Sequence, residues 1–185
     1  MLLRRNFAVL ALATLPALAL PQTAGSPFAQ RLRSGGCVVL WRHAQTEPGV
    51  GDPAGFTLAS CSTQRNLSSA GRTQAQRAGA WFTAQALKPR SVLSSAWCRC
   101  KETADLAFGA HELWTPLNST FAEGDQAGAA RAAMARRLAM VPSGQFEVWV
   151  THQVNITALT RAVLAMGEGL VVDSAGAIVA RGEFG

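Results

Sequence analysis

The sequence predicts a three-layer α/β domain with a mostly parallel central sheet. Three short apolar runs, residues 37–42, 91–94 and 146–151, carry this prediction. Each run is bounded by turn-forming residues and is followed by apolar residues at helical spacing, which is typical of buried parallel strands that alternate with helices. Strands and helices that alternate in this way form one sheet covered by helices.

The first half of the chain contains one predicted strand and one predicted helix. Residues 20–34 hold prolines, glycine and serine and are expected to be a disordered lead-in to the strand at 37–42. A long loop over 46–63 is rich in glycine and proline, and loops of that length are often functional. The apolar stripe of residues 67–87 predicts a core-facing helix that ends at Lys88-Pro89.

The second half continues the alternation. Ser95 is a suitable N-cap for a helix that follows the strand at 91–94. The remaining elements are a helix over 96–108, a long connection over 109–125, a helix over 126–140, the strand at 146–151, a helix over 154–166, and a final hairpin of 170–172 with 177–179.

The N-terminus has the pattern of an export signal. Arg4 and Arg5 precede an apolar stretch over 7–20, and Ala17-Leu18-Ala19 offers a cleavage site with small residues. We therefore expect residues 1–25 to be signal and lead-in, residues 35–185 to form the domain, and no stable membrane span to remain after cleavage. The expected location is the periplasm or the exterior. The paired arginines also resemble the twin-arginine export pattern, although an ordinary secretion signal is favoured.

The charge pattern favours an anionic small molecule as partner over nucleic acid. The whole chain has a formal charge of +6, and about +4 is left once Arg4 and Arg5 are removed. The basic residues are scattered and tyrosine is absent. A nucleic-acid surface usually shows a clustered basic face with aromatic residues, so no nucleic-acid partner is expected.

Four cysteines are present, and their spacing does not match a metal site. An exported protein is expected to form disulfides. Cys37 lies in the first strand and is predicted to be a buried thiol, so Cys61 should pair with Cys98 or Cys100. Four free thiols remain the alternative if folding precedes export.

Phosphate-handling residues follow the predicted strands. Arg42-His43, Arg99 and His152 each come at or just after the end of a strand. Ligands of open parallel sheets bind beyond the carboxyl ends of the strands, so these side chains should lie together. Two fixed cations and two imidazoles suit a dianionic phosphoryl group and a nitrogen nucleophile.

The same residues carry a family resemblance. Arg42-His43-Ala44-Gln45-Thr46 resembles the Arg-His-Gly-x-Thr signature of the histidine phosphatase (phosphoglycerate mutase-like) superfamily. Three further segments resemble its later motifs in the same order: Asn66–Gly71 with Gln74-Ala75, Ser95-x-x-x-Arg99-x-x-x-Thr103-Ala104, and Thr151-His152. The resemblance implies the phosphoglycerate mutase-like sandwich, with helices on both faces of the sheet, and a phosphatase that needs no metal or cofactor.

The resemblance also implies residue roles. His43 is the expected nucleophile, and Arg42, Arg99 and His152 are expected to bind the phosphoryl oxygens. The substrate would be a small phosphorylated molecule or a phosphorylated envelope component. Two alternatives stay open: a non-catalytic exported protein that binds a phosphorylated ligand on this fold, and a metal site built from His43, His111 and His152.

The chain departs from the family pattern at several positions. Ala44 stands for the usual glycine, Gln45 for glutamate, Gly49 for an asparagine, and Ser119 for the glutamate that acts as acid in the mutase-like branch. The proton donor is therefore unassigned. The carboxylates that could replace it are Glu47, Asp52, Glu123 and Asp125. Asp52, held in a stiff Gly-Asp-Pro turn, is the candidate general acid; a purely turn-forming aspartate is the competing interpretation.

Overall fold

The computed structural model describes residues 26–121 and 124–184. The predicted signal segment, residues 1–25, lies outside the described residues. None of the described helices is long and apolar enough to cross a membrane.

The described residues form one mixed sheet with strand order β3-β2-β4-β1-β5-β6. The strands are β1 Cys37–Arg42, β2 Ser91–Ser94, β3 Glu112–Leu113, β4 Phe146–Thr151, β5 Glu168–Asp173 and β6 Ile178–Glu183. β1 to β4 pair in parallel, whereas β5 and β6 are antiparallel. The predicted mostly parallel sheet is confirmed.

Helices cover both faces of the sheet. They are α1 Pro27–Ser34, α2 Ser69–Ala84, α3 Cys98–Phe108, α4 Gly124–Leu138 and α5 Gln153–Thr160, with short 3-10 turns at Cys61–Thr63 and Thr115–Leu117. Alternate residues of β1 point to opposite faces. Val39 and Trp41 pack in one core with α1, α2 and α3, while Val38 and Leu40 pack in a second core with α4 and α5. The chain therefore has the predicted three layers.

The expected disordered lead-in is wrong from residue 27 onward, because Pro27–Ser34 is a helix. Ser26 caps it by accepting a hydrogen bond from the Ala29 backbone N–H, and Pro27 occupies the first turn, where no N–H is needed. Ala29 and Leu32 are fully buried against the sheet. Serine and proline here start a short helix instead of breaking structure.

The last helix is shorter than its apolar pattern predicts. It ends at Thr160, with Arg161 in a left-handed conformation at φ 64°. The next residues are held as an irregular segment by Gln153, whose side chain donates to the Ala162 carbonyl and accepts from the Leu164 N–H. This segment also supplies the Leu164 carbonyl, which accepts a hydrogen bond from the Arg42 side chain.

Helix α2 approaches the turn after β1 so closely that only glycine fits at one position. A Cβ on Gly71 would lie 1.8 Å from the carbonyl oxygen of Gln45. The same carbonyl accepts a hydrogen bond from the Ser68 N–H, so it cannot move away freely. The glycine of the second motif therefore lets α2 rest on the turn that carries His43.

We expect Gly71→Ala to destabilise the protein by about 1–3 kcal/mol, because the added methyl group overlaps backbone atoms. Gly128→Ala is the matched control: Gly128 lies in α4, and a Cβ there meets nothing within 4 Å. The control should stabilise by up to about 1 kcal/mol through helix propensity. Denaturant unfolding of both variants measures the difference, and equal stability would contradict the proposed close approach.

Candidate active site

The pairing of β1 with β4 brings the two predicted histidines together. Arg42 is opposite Thr151 in the parallel register, so His43 and His152 leave the sheet side by side. Their ring centroids are 5.6 Å apart. β2 lies on the other side of β4 and ends at Ser94, one residue before Ser95. The carboxyl ends of three adjacent strands thus form one edge, as the sequence predicts.

His43 is a buried, neutral imidazole with a defined tautomer. Only 3% of the residue is exposed, and Nδ1 lies 2.9 Å from the carbonyl oxygen of Ala44. A carbonyl oxygen only accepts, so Nδ1 carries the hydrogen and Nε2 carries the lone pair. Burial and, to a smaller extent, the charges of the surrounding arginines outweigh the opposing contact with Ala44 and together lower the pKa of His43 to about 3. No described residue hydrogen-bonds to Nε2, which is therefore available as a nucleophile.

His152 is also held neutral. Burial, followed by the neighbouring His43 and the arginines, lowers its pKa well below the ordinary value. Its Nε2 lies 2.8 Å from the hydroxyl oxygen of Ser95. That contact leaves Nδ1 as the ring nitrogen available to a ligand.

Three guanidinium groups surround the histidines. Arg42, Arg99 and Arg65 each lower the pKa of His43 through their charge. Among the described residues, four buried side-chain nitrogen or oxygen atoms lack a hydrogen-bond partner, and three of these are the Nε atoms of the same three arginines. A buried donor without an acceptor is costly, so this cluster is organised for an anion that accepts from it.

Arg99 is anchored through one edge of its guanidinium group. Its two terminal nitrogens pair with the Asp52 carboxylate at 2.7 and 3.2 Å, and both side chains are less than a tenth exposed. An end-on pair of this kind leaves the other edge, with the Nε hydrogen, free for a second oxyanion. Arg99 can therefore bind Asp52 and a phosphoryl group together.

The contacts of Asp52 argue against the general-acid role expected from the sequence. Besides Arg99, its carboxylate accepts from the Trp97 indole at 2.9 Å and from the Arg65 backbone N–H at 3.0 Å. Burial alone would raise the pKa of Asp52, but the hydrogen bonds and the charge of Arg99 outweigh it and hold the pKa below its ordinary value. An ionised carboxylate with its oxygens engaged has no proton to donate near neutral pH.

Helix α3 begins later than the sequence suggests. Its first residue is Cys98, and Ser95 does not cap it at the predicted position. The Ser95 hydroxyl contacts His152 instead. The Cys98 backbone N–H donates a hydrogen bond at 2.9 Å to the side chain of Gln64, a residue distant in sequence. Arg99 still lies in the first turn of the helix, as predicted.

Thr103 ties this helix to the turn after β1. Its hydroxyl donates to the Arg99 carbonyl at 2.7 Å and accepts from the Ala44 N–H at 3.0 Å. Ala44 itself is fully buried, which explains why a small residue stands there. The threonine of the third motif therefore has a structural role beside His43.

One disulfide joins Cys61 to Cys98, which confirms the predicted bridge and selects Cys98 over Cys100. Cys37 is a buried free thiol, as predicted. Cys100 is also free and buried, with its sulfur 3.5 Å from Nε2 of His152. Burial raises the pKa of Cys100 to about 12, so this thiol is unreactive at neutral pH.

The family model described as histidine phosphatase superfamily (branch 1) matches residues 38–139, more than half of the chain. The chain belongs to the histidine phosphatase superfamily. No curated protein matches it.

Solved structures share the fold of this chain. The protein histidine phosphatase SixA, solved with tungstate, is 14% identical with a TM-score of 0.50, and the match covers 78% of this chain and 95% of that chain. A phosphoglycerate mutase from Thermus thermophilus is 19% identical with a TM-score of 0.55, covering 78% of this chain and 97% of that chain. These likenesses confirm the predicted phosphoglycerate mutase-like sandwich.

Of the remaining candidate residues named from the sequence, His111 is paired away from this cluster. His111 lies 2.7 Å from the Asp105 carboxylate and has no described contact with His43 or His152. Across the described residues, no group of three side chains could hold a metal ion. Glu47 is exposed. The side chains of Glu123 and Asp125 lie outside the described residues.

The sequence did not single out Arg65. Its Nη1 donates to the Thr46 hydroxyl at 2.7 Å and to the Gly49 carbonyl at 3.0 Å, which brings the guanidinium beside the histidine phosphatase signature. The only sequence signal is its place directly before Asn66-Leu67-Ser68, the start of the second motif. A long loop has no regular pattern of buried residues, so the sequence does not show where the side chain of an arginine in it points.

We expect the disulfide to stabilise the fold mainly by restricting the unfolded chain. The bridge spans 37 residues, for which loop-closure entropy gives roughly 3–4 kcal/mol. Cys61→Ser/Cys98→Ser should lower the free energy of unfolding by that amount in denaturant titrations. Four titratable thiols in the oxidised, unfolded wild type would contradict the bridge.

The ion pair of Asp52 should make stability depend on acid pH. Because the pKa of Asp52 is lowered in the folded state, its contribution is present above the unfolded pKa, about 4, and is lost as pH falls through the folded pKa. Asp52→Asn should therefore cost about 3 kcal/mol near pH 7 and lose less further stability on acidification than the wild type. Asp105→Asn is the control: its carboxylate is half exposed, and the expected loss is below about 1 kcal/mol. Parallel acid dependence in wild type and Asp52→Asn would refute this role.

Proposed function

We propose that the chain is an exported phosphatase that hydrolyses a phosphomonoester or a phosphoramidate through a covalent phosphohistidine on His43. The observation that carries the proposal is the cluster itself. A neutral imidazole with a free Nε2 lies among three guanidinium groups whose buried Nε donors have no partner. Such a site is complementary to a phosphoryl group and supplies the nucleophile that attacks it.

In the first step, Nε2 of His43 attacks phosphorus in line with the leaving group. The N–P bond forms while the bond from phosphorus to the leaving group breaks. Nδ1–H stays on the ring and donates to the Ala44 carbonyl, which stabilises the positive charge that the phosphorylated ring acquires. Arg42, Arg99 and Arg65 neutralise the equatorial oxygens without a metal, and His152 donates a further hydrogen bond.

In the second step, water attacks the phosphohistidine, the N–P bond breaks, and inorganic phosphate leaves. The O–P bond to water forms as the N–P bond breaks, and both water protons leave with the product as dihydrogen phosphate. His43 returns to the neutral form, which its low pKa keeps ready for another turnover across the neutral range.

The proposal assigns no proton donor for the leaving group. Asp52 is engaged with Arg99, so we expect the site to favour leaving groups that need little protonation, such as aryl oxides, or a phosphoramidate nitrogen that carries its own proton. The substrate is either a small phosphorylated molecule or a phosphorylated envelope component. The Cys61–Cys98 bridge and the signal-like residues 1–25 support an exported enzyme, because disulfides persist in oxidising compartments.

Phosphate release from p-nitrophenyl phosphate by the mature protein tests the proposal. We expect His43→Ala to abolish turnover, and Arg42→Ala, Arg65→Ala and His152→Ala each to cost about a hundredfold in kcat/KM through loss of transition-state contacts. His111→Ala is the matched control, since this histidine contacts Asp105 instead of the site, and it should keep full activity.

Mass spectrometry after an acid-free quench should find phosphate on His43 and on no other histidine. Turnover by His43→Ala would refute the covalent mechanism. Tight phosphate binding with no turnover in the wild type would replace the proposal with the non-catalytic ligand-binding alternative.

A further inference from the structure

The disulfide lies directly against the proposed phosphoryl site. Cys98 precedes Arg99 in the first turn of α3, and Cys61 lies four residues before Arg65. Residues 47–65, here called the Asp52 loop, carry both Asp52 and Arg65. The bridge therefore joins the loop that supplies two site residues to the helix that supplies a third.

Several non-covalent contacts join the Asp52 loop to the residues at the start of α3, next to Cys98 of the bridge. Asp52 binds Arg99 and Trp97, and the Gln64 side chain accepts from the Cys98 N–H. Nη1 of Arg99 also lies 3.4 Å from the Arg65 carbonyl. These contacts orient Arg99 from one edge and fix the backbone from which Arg65 reaches the site.

The other hydrogen bonds of the Asp52 loop run mostly within the loop, as from the Gln64 side chain to the Thr57 carbonyl. Its links to the rest of the chain include the hydrogen bond from the Arg65 side chain to Thr46 and the one from the Glu47 N–H to the Asn66 carbonyl. Gly49, Gly51 and Gly55 all have positive φ angles, and Val50 is 96% exposed. Phe56 packs on Trp97 with ring centroids 5.9 Å apart, which is again a contact with the start of α3. A loop with few buried apolar groups and flexible glycines has low local stability, so its position depends on its anchors.

We propose that the Cys61–Cys98 disulfide is a positioning element of the phosphoryl site. By holding the Asp52 loop on the start of α3, it keeps Asp52 paired with Arg99 and keeps Arg65 beside the nucleophile. The activity of the folded protein then depends on the oxidised bridge. This inference rests on the proposed phosphatase function, because it concerns the same site.

Reduction by dithiothreitol is a defined chemical step. A dithiothreitol thiolate attacks one sulfur of the bridge, the S–S bond breaks, and closure of the reagent to its cyclic disulfide leaves two cysteine thiols. Cys61 is exposed and gives the reagent access, whereas the free thiols of Cys37 and Cys100 are buried, and burial raises the pKa of each. Exchange is therefore confined to the bridge while the protein stays folded.

The experiment compares oxidised, reduced and reoxidised mature protein at a temperature where circular dichroism shows all three to be folded. We expect reduction to lower kcat/KM for p-nitrophenyl phosphate by about tenfold or more, as when one charged contact to the phosphoryl group is misplaced. The inhibition constant for orthovanadate, a phosphate mimic, should weaken by a similar factor. Reoxidation should restore both values.

A double-mutant comparison separates positioning from general stabilisation. If the bridge acts through the Asp52–Arg99 pair, Asp52→Asn should already show most of the loss when oxidised, and reduction should add much less than in the wild type. The Cys61→Ser/Cys98→Ser variant should have the kcat/KM and the vanadate inhibition constant of the reduced wild type, and dithiothreitol should change neither value. The Cys37→Ala variant removes a thiol that is not part of the bridge, and it should lose as much activity on reduction as the wild type does.

Unchanged kcat/KM and vanadate affinity in folded, reduced protein would overturn the inference and leave the phosphatase proposal intact. Losses from Asp52→Asn and from reduction that simply multiply would overturn the route through Asp52. If the oxidised wild type had no activity, the proposed function would be refuted. Vanadate binding would then test the inference by itself, and an affinity for vanadate that did not change on reduction of the bridge would overturn the inference.

Discussion

The parallel pairing of β1 with β4 is the contact on which the candidate site depends. It aligns Arg42 with Thr151, so that two chain segments more than a hundred residues apart leave the sheet at the same level. His43 and His152 follow directly, and no other element is needed to bring the two rings together. Because both strands are buried on both faces, their register is fixed by the cores of the whole domain, and the site inherits that rigidity.

The side chains at this edge of the sheet differ in their charge. Burial among guanidinium groups keeps both histidines neutral, so the positive charge of the site resides on arginines that cannot lose it. Three arginines face one ionised carboxylate, Asp52, and the surplus matches a dianionic phosphoryl group. Asp52 pairs with Arg99 and orients its guanidinium group, and the same pairing holds the pKa of the Asp52 carboxyl below its ordinary value.

The Asp52 loop carries two residues of the candidate site, Asp52 and Arg65, and few buried apolar side chains. Glycines at positive φ allow its turns, and these glycines supply no side chains that could be buried. A covalent bond to α3 compensates for that lack at the place where the loop meets Arg99. An exported protein can rely on such a bond, whereas a protein kept in a reducing compartment cannot.

The sequence by itself determined the parallel strands β1, β2 and β4 and the hairpin of β5 with β6, and it placed two histidines and two arginines at or after the ends of the parallel strands. The two-residue strand β3 was missed, since it lies in the predicted connection over 109–125. Apolar periodicity follows from burial, and the carboxyl ends of parallel strands must share an edge. The sequence therefore predicts that Arg42, His43, Arg99 and His152 lie together. The sequence also predicted that the disulfide joins Cys61 to either Cys98 or Cys100. Helix α1 was missed because its eight residues bury only Ala29 and Leu32, too few for a periodic signal.

Only the tertiary structure decided the partners of the loop residues. Asp52 meets Arg99 across 47 positions of sequence, and Arg65 reaches Thr46 across 19, through an irregular backbone that no spacing rule describes. The tautomer of His43 likewise depends on the carbonyl of Ala44 turning toward its ring. Periodicity reports which face of a helix or strand is buried, whereas the direction of a loop side chain is set by contacts that form only when distant segments have already packed.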